Sequence, residues 1–284
     1  MSQEHRPYRS VLYIPGSNAR ALEKARSLPV DAIIFDLEDA VSIEAKEEAR
    51  GALAEALKGG GYGGRSLLVR INGLDTPWGE KDARAFAGAN IDGVLVPKVN
   101  GTADVEAVAA LVGDQPIWAM METATGILNA AEIAAHPRIA GSVLGTNDLA
   151  KELTSRTRPD REPLLTSLQL CLLAARAGGI VCVDGVYNAF KDAEGLRREC
   201  EQGRDLGFDG KTLIHPAQVE VANEVFAPSD AEIDLARRQI AAFEEAEAAG
   251  KGVAVVDGRI VENLHIETAR ATLAKLDAIA AREN

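Results

Sequence analysis

The sequence predicts an α/β fold, a (β/α)8 barrel of the TIM type with a C-terminal helical extension. Three observations predict it. Short apolar runs alternate with helical patterns about eight times, the signature of a parallel strand–helix barrel. Most of those runs end on a charged or polar residue, where barrel strands open onto a working face. The 284 residues, 46% hydrophobic and 26% charged, suffice for one large core. A doubly wound sheet would more usually run to fewer strands.

The first run, residues 11–14, closes on Pro15-Gly16-Ser17. A helix follows, with Ser17 or Asn18 as N-cap and Ala21, Leu22 and Ala25 on its apolar face. Residues 32–35 are continuously apolar, as in a strand covered on both faces, and run into Asp36-Leu37-Glu38-Asp39. A charged helix follows at about 43–57. The glycine-rich tract 59–64 is too short and too closely flanked by like units to divide domains, so it reads as a flexible loop. Further runs lie at 67–72, 94–99, 116–122, 142–148, 180–184 and 211–216. Helical patterns between them, such as 164–177 and 192–206, close on glycine. The barrel domain thus occupies residues 1–226. Residues 227–284 form an appendage: a helix at about 229–248, two short strands near 254–261 and a helix from about Glu262. It is expected to cover the barrel mouth or a neighbouring subunit.

Composition excludes some functions. A net charge of −12 disfavours a nucleic-acid binder, which needs a basic face for phosphates. It leaves room for a small anionic substrate, since local arginines and a metal set the field of a pocket. No run of 18 apolar residues suggests a membrane span, and the N-terminus does not read as a signal peptide. Cys171, Cys182 and Cys200 are odd in number and lack C-x-x-C spacing, which suggests reduced thiols in a cytoplasmic protein.

The chemistry is expected where the runs end. Asp36, Arg70, Lys98, Glu122, Asp148, Asp184 and His215 follow one another at intervals of 24 to 36 residues, one strand–helix unit each. In a barrel they converge on the C-terminal face. Glu122 and Asp148 offer two hard oxygen ligands, which suits Mg²⁺ because that ion takes its remaining ligands from water and substrate. The alternative is that either one only opens a helix. Arg70, in an apolar strand, needs a carboxylate, from a substrate held bidentately, from Asp36, or from both. Asp36 faces the site, Glu38 shares its strand phase, and Asp39 starts the next helix. Lys98 is a second electrostatic group or an ion-pair partner; a Schiff-base role is disfavoured beside a metal. Backbone N–H groups after Gly145 and Gly126 are further candidates for a carboxylate.

These residues resemble the citrate lyase beta-subunit family, within the HpcH/HpaI aldolase and malyl-CoA lyase group. The resemblance covers nearly the whole chain. It is carried by Arg9-Ser10-Val11-Leu12-Tyr13-Ile14-Pro15-Gly16, Asp36-Leu37-Glu38-Asp39, Val69-Arg70-Ile71-Asn72-Gly73, Val96-Pro97-Lys98-Val99, Met121-Glu122-Thr123-Ala124, Gly145-Thr146-Asn147-Asp148-Leu149 and Gly207-Phe208-Asp209-Gly210-Lys211-Thr212-Leu213-Ile214-His215-Pro216. It implies Mg²⁺ on Glu122 and Asp148, a carboxylate-binding Arg70 with Asp36 as its acidic partner, and an Arg9 that approaches CoA; Arg70 and Asp36 are expected in catalysis, and Thr146, Asn147, Lys98 and Arg9 in substrate binding. It further implies homotrimers or hexamers whose C-terminal segment completes a neighbour's site. In the thioester lyases of the group that segment carries an acid–base aspartate before a proline. Here Glu262 takes the position, one methylene longer, and the proline is absent.

The expected activity is Mg²⁺-dependent carbon–carbon cleavage of a citryl-, malyl- or citramalyl-type thioester to an acyl thioester and a 2-oxo acid, with Glu262 or Asp36 moving the hydroxyl proton. The alternatives are an aldolase on a free hydroxy-oxo acid and a lyase-complex subunit active only on groups held by an acyl-carrier partner.

Overall fold

The structure, a computed structural model, describes residues 6–283. They cluster into two compact units, one of Tyr8–Phe226 and one that holds the chain from Ala227 on together with the segment before Tyr8.

The first unit is a closed barrel of eight parallel strands in sequence order: β1 Ser10–Pro15, β2 Ala32–Asp36, β3 Ser66–Arg70, β4 Gly93–Val96, β5 Ile117–Met121, β6 Ile139–Leu144, β7 Val181–Asp184 and β8 Gly210–Leu213. Each strand pairs with the next, and β8 returns to β1 through Val11↔Thr212. The fold class is therefore the (β/α)8 barrel that the alternation predicts. Strand side chains alternate between two buried environments. One set, including Ile33, Phe35, Val69 and Val94, packs under the surrounding helices. The other, including Val11, Ile34, Leu68, Leu95, Trp118, Met120, Val143 and Val183, fills the barrel interior. This double burial is why the runs are continuously apolar rather than alternating.

The interior is built around Trp118. Its register partner Gly141 has no Cβ, and one placed there would lie 2.6 Å from Trp118 Cε3; at Gly93 it would lie 2.7 Å from Cδ1. The two glycines make room for the indole on adjacent strands. Gly141→Ala is expected to cost about 1–3 kcal/mol through overpacking, seen as a melting midpoint several degrees lower. An unchanged midpoint would show that the ring yields freely.

The segment that follows Asp36 departs from expectation. Asp39 starts no helix: residues 37–42 form turns, a 3-10 turn begins at Ile43, and the α-helix runs Lys46–Lys58. The second unit contains helix Asp230–Ala248, an antiparallel pair β9 Ala254–Val256 and β10 Arg259–Val261, and helix Asn263–Glu283. Its first helix opens on a reciprocal cap, Glu232 N–H to Ser229 Oγ at 3.3 Å and Ser229 N–H to Glu232 Oε2 at 2.7 Å. Phe243, Val256, Val261 and Ile266 form its own small core. Among the described residues no helix is long and apolar enough to cross a membrane.

Candidate active site

Strand phase decides what enters the barrel mouth. Val11, Ile34, Leu68 and Met120 point into the interior, so the residues two further along, Tyr13, Asp36, Arg70 and Glu122, point the same way one layer higher. All four line a cavity of about 340 Å³, joined by Thr146, Asn147 and Asp148 from the turn after β6.

Arg70 is the most heavily contacted of them. Its Nε and Nη2 donate to Asp36 Oδ1 and Oδ2 at 2.7 and 2.6 Å, a bidentate fork. Nη1 lies 2.8 Å from Glu38 Oε2 and 3.4 Å from Asp39 Oδ2. Facing these carboxylates, the guanidinium is held well above its ordinary pKa against the opposing effect of burial. The fork is thus already used by Asp36, and Nη1 is the nitrogen turned to Glu38 and to the exposed Asp39. Asp36 also accepts from Glu38 N–H at 2.9 Å and Ala40 N–H at 3.0 Å. With two donors on each oxygen it has no lone pair to spare for proton transfer. This saturation stands against the acid–base role expected of Asp36 and leaves it as the carboxylate that holds the Arg70 fork.

Glu38 bridges Arg70 to Lys98, whose Nζ donates to Glu38 Oε1 at 3.0 Å. Desolvation raises the Glu38 pKa. Lys98 adopts a left-handed conformation with φ of 50°, uncommon for a side chain with a Cβ. The turn aims its N–H at Glu122 Oε1, 2.9 Å away. Lys98 therefore serves the cavity from its rim: its amine holds Glu38 and its backbone holds Glu122.

Glu122 is 1% exposed, and burial pushes its carboxyl up from 4.5 to about 7, with the Lys98 amide acting in the opposite direction. A Cβ at Gly145 would strike Glu122 Oε2, so the glycine keeps open the space that this oxygen occupies. Among the described residues neither Glu122 Oε2 nor Asp148 accepts a hydrogen bond. Asp148 stands in the first turn of helix Thr146–Glu152, half-buried on the cavity wall. Two hard oxygen donors without proton donors, on one cavity, fit a divalent cation. No cluster of three or more His, Cys, Asp or Glu offers another such place among the described residues.

Thr146 is buried, and Gly185 leaves the room its hydroxyl and methyl fill. Asn147 is engaged reciprocally with Asn188 at 3.2 and 2.8 Å, both on the cavity edge.

Two expectations, for Arg9 and Asp184, are overturned by position. Arg9 precedes β1, at the end of the barrel opposite the cavity, and its Nε and Nη2 clasp buried Asp31 at 2.9 and 3.0 Å. There it is a buried structural clamp, 4% exposed. Asp184 follows interior-facing Val183 and so points to the helix layer. There it is fully buried between Arg161 at 2.8 Å and Lys211 at 3.0 Å. His215 caps a 3-10 turn, accepting from Ala217 N–H, and stacks on Phe190 with centroids 4.6 Å apart. Glu262 lies between β10 and the last helix of the second unit, exposed, its carboxylate accepting no hydrogen bond among the described residues. Tyr13 was missed: its ring faces Arg70 at 5.0 Å, and only its phase with Val11 hinted at this.

With this geometry in view, residues 9–216 match the HpcH/HpaI aldolase/citrate lyase family. The chain belongs to that family. Within it, the chain is 68% identical over 281 residues to a (3S)-malyl-CoA thioesterase of Cereibacter sphaeroides, covering 99% of each. It is 40% identical over 266 residues to the citrate lyase subunit beta of Leuconostoc mesenteroides, covering 89% of this chain and 88% of that one. Among solved structures of the family, CitE from Mycobacterium tuberculosis with magnesium, acetoacetate and coenzyme A superposes with a TM-score of 0.81 at 30% identity, covering 95% of this chain and 98% of that one.

Proposed function

We propose that the protein is a Mg²⁺-dependent enzyme of the cytoplasm that hydrolyses a malyl-type CoA thioester in this cavity, releasing the hydroxy acid and free CoA. The observation that carries it is the meeting, in one cavity, of two carboxylates that keep oxygens free of proton donors and an arginine fixed by Asp36. That arrangement recognises a 2-hydroxy or 2-oxo acid by its cation-chelating oxygens and its charge. The choice of a malyl thioester and of hydrolysis is supported by the thioesterase likeness, which spans both chains.

Glu122 and Asp148 would hold the Mg²⁺, which when bound supplies Lewis-acid charge at the oxygens of the acid. Arg70 orients the acid's carboxylate through Nη1, and Asp36 prevents the guanidinium from swinging. Thr146 and Asn147 close the wall beside the acid. Water adds to the thioester carbonyl carbon; the carbon–sulfur bond breaks with its electron pair on sulfur, and the water's proton ends on the thiolate. Glu262 takes the proton from water, from the second unit of a neighbouring copy in a trimer or hexamer, so that the extension covers the barrel mouth of another subunit.

The second reading is the carbon–carbon cleavage expected above, supported by the likeness to citrate lyase subunit beta. There the hydroxyl proton is removed, the bond between the hydroxyl-bearing carbon and the methylene breaks with its electron pair on the methylene carbon, which takes up a proton to become the acyl thioester's methyl, and a 2-oxo acid leaves. Product analysis separates the two. With malyl-CoA and Mg²⁺, free thiol is expected to appear without glyoxylate, and Glu262→Gln is expected to lower kcat by about 10²-fold, the range for a lost acid–base group. Glyoxylate without thiol would establish the lyase; neither product would overturn both readings. Turnover only of carrier-bound groups, or only of a free hydroxy-oxo acid, would move the assignment to those substrates.

A further inference from the structure

At the cavity floor, the Tyr13 hydroxyl donates to the Met120 thioether at 3.4 Å. Both side chains line the cavity, Tyr13 in register with Ile34 and Met120 two residues before Glu122. A thioether is a weak acceptor. The stronger donors nearby are already committed to strong acceptors: Arg70 to Asp36 and Glu38, Lys98 to Glu38, and the amides of Asn147 and Asn188 to each other. Tyr13 is held in place by other means. Its ring lies against the Arg70 guanidinium, 5.0 Å from centroid to Cζ, an attraction that fixes the ring without using the hydroxyl. The strand places it by phase and the arginine by its charge, so the O–H is aimed into the cavity at little further conformational cost.

We propose that Tyr13 is a substrate-contacting residue: its hydroxyl leaves Met120 and donates to an anionic oxygen of the bound acid. Burial, helped by the charges of Asp36, Glu122 and Glu38 and opposed by that of Arg70, raises the phenol above its ordinary pKa. It therefore acts as a hydrogen-bond donor and not as a base. Exchanging a thioether for an anionic acceptor converts a weak bond into a charge-assisted one, so the gain arises only when the acid is present. Arg70 meets the same ligand from the cavity wall, and the ring between them couples the two contacts. The inference rests on the reading of this cavity as a metal and acid site, but not on whether the thioester is hydrolysed or cleaved.

The test is calorimetric titration of malate in the presence of Mg²⁺, on the full chain and two variants, with thermal unfolding recorded for each. Tyr13→Phe keeps the ring and its stacking on Arg70 and removes only the donor. It is expected to weaken malate binding about 10- to 100-fold, the range for a hydrogen bond to a charged group, with the melting midpoint unchanged. In turnover the loss should appear with the acid-bearing thioester as a raised KM or a lowered kcat. Met120→Leu removes the competing acceptor and leaves the hydroxyl; malate is expected to bind at least as tightly as to the unaltered protein. Equal affinities for the unaltered protein and Tyr13→Phe would overturn the proposal, as would a comparable weakening in both variants, which would trace the effect to packing. Absence of malate binding to the unaltered protein would instead overturn the reading of the site on which the proposal stands.

Discussion

Arg70→Ala is expected to lower the melting midpoint by about 10 °C and to abolish turnover, and the two effects have separate causes. The stability loss comes from the carboxylates that remain. Asp36 is 1% exposed and takes both of its side-chain donors from Arg70. Glu38 lies beside the same guanidinium and is likewise shielded from water. Removing one partner from a buried pair leaves an uncompensated charge, which costs about 3–5 kcal/mol, and a chain of this size loses roughly 2–4 °C per kcal/mol. Arg70→Lys separates this from recognition. The ammonium restores a charge but cannot reproduce the fork, so it engages Asp36 as a point and no longer presents Nη1 in a fixed direction. Its midpoint is expected to recover much of the loss, while kcat/KM remains down by about 10²-fold, the cost of a reacting group misplaced by about 1 Å. Thermal unfolding and steady-state kinetics on the two variants decide it. Near-normal kcat/KM in Arg70→Lys would show that Arg70 holds its carboxylates together and does not position substrate.

The same residues show how far a sequence can be read. The barrel was legible because its strands are buried on both faces, so that continuous apolar runs at regular spacing leave little other architecture. Asp36, Arg70 and Glu122 were legible as a group for a related reason: a charged residue ending such a run can meet polar partners at the barrel mouth. Asp184 meets the same description and lies elsewhere. It differs from Asp36 by one step of strand phase, and the run 180–184 contains no marker of which face is inner. Its buried partners, Arg161 and Lys211, are 23 and 27 residues away in sequence. Arg9 misled in a different way, because a motif gives proximity along the chain but not the end of the strand on which a residue sits. Tyr13 was hidden by its own apolar ring, since a tyrosine within a strand run reads as packing. The interactions that define its surroundings, Arg70 across the sheet and Met120 across the barrel, are set by closure of β1 through β8. The direction of the chemistry, hydrolysis or carbon–carbon cleavage, was beyond the sequence because both reactions need the same cation and the same arginine. They differ in where a proton goes.

Metal dependence is expected to follow the ionisation of Glu122. Burial holds this carboxyl at about 7 instead of 4.5. Without a cation, the folded chain therefore keeps a proton that the unfolded chain releases earlier. The contribution of this group to stability is fully present below the ordinary carboxylate value and declines as pH rises towards 7. A divalent cation has the opposite preference, because it binds only the ionised form and must displace the proton. The rise in melting midpoint produced by Mg²⁺ is accordingly expected to be small at pH 5, to grow up to about pH 7, and then to level. The apparent affinity should gain about tenfold per pH unit on the rising limb, as displacement of one proton requires. Glu122→Gln removes both the charge and the proton; it is expected to flatten this profile and to lower kcat/KM by at least about 10³-fold, the scale for loss of a group that stabilises developing charge. EDTA should do the same to the unaltered protein, reversibly on adding Mg²⁺. Asp148→Asn should lose metal affinity while the limb stays near 7. A Mg²⁺ response that persists at low pH, or survives in Glu122→Gln, would show that the cation binds somewhere other than at Glu122.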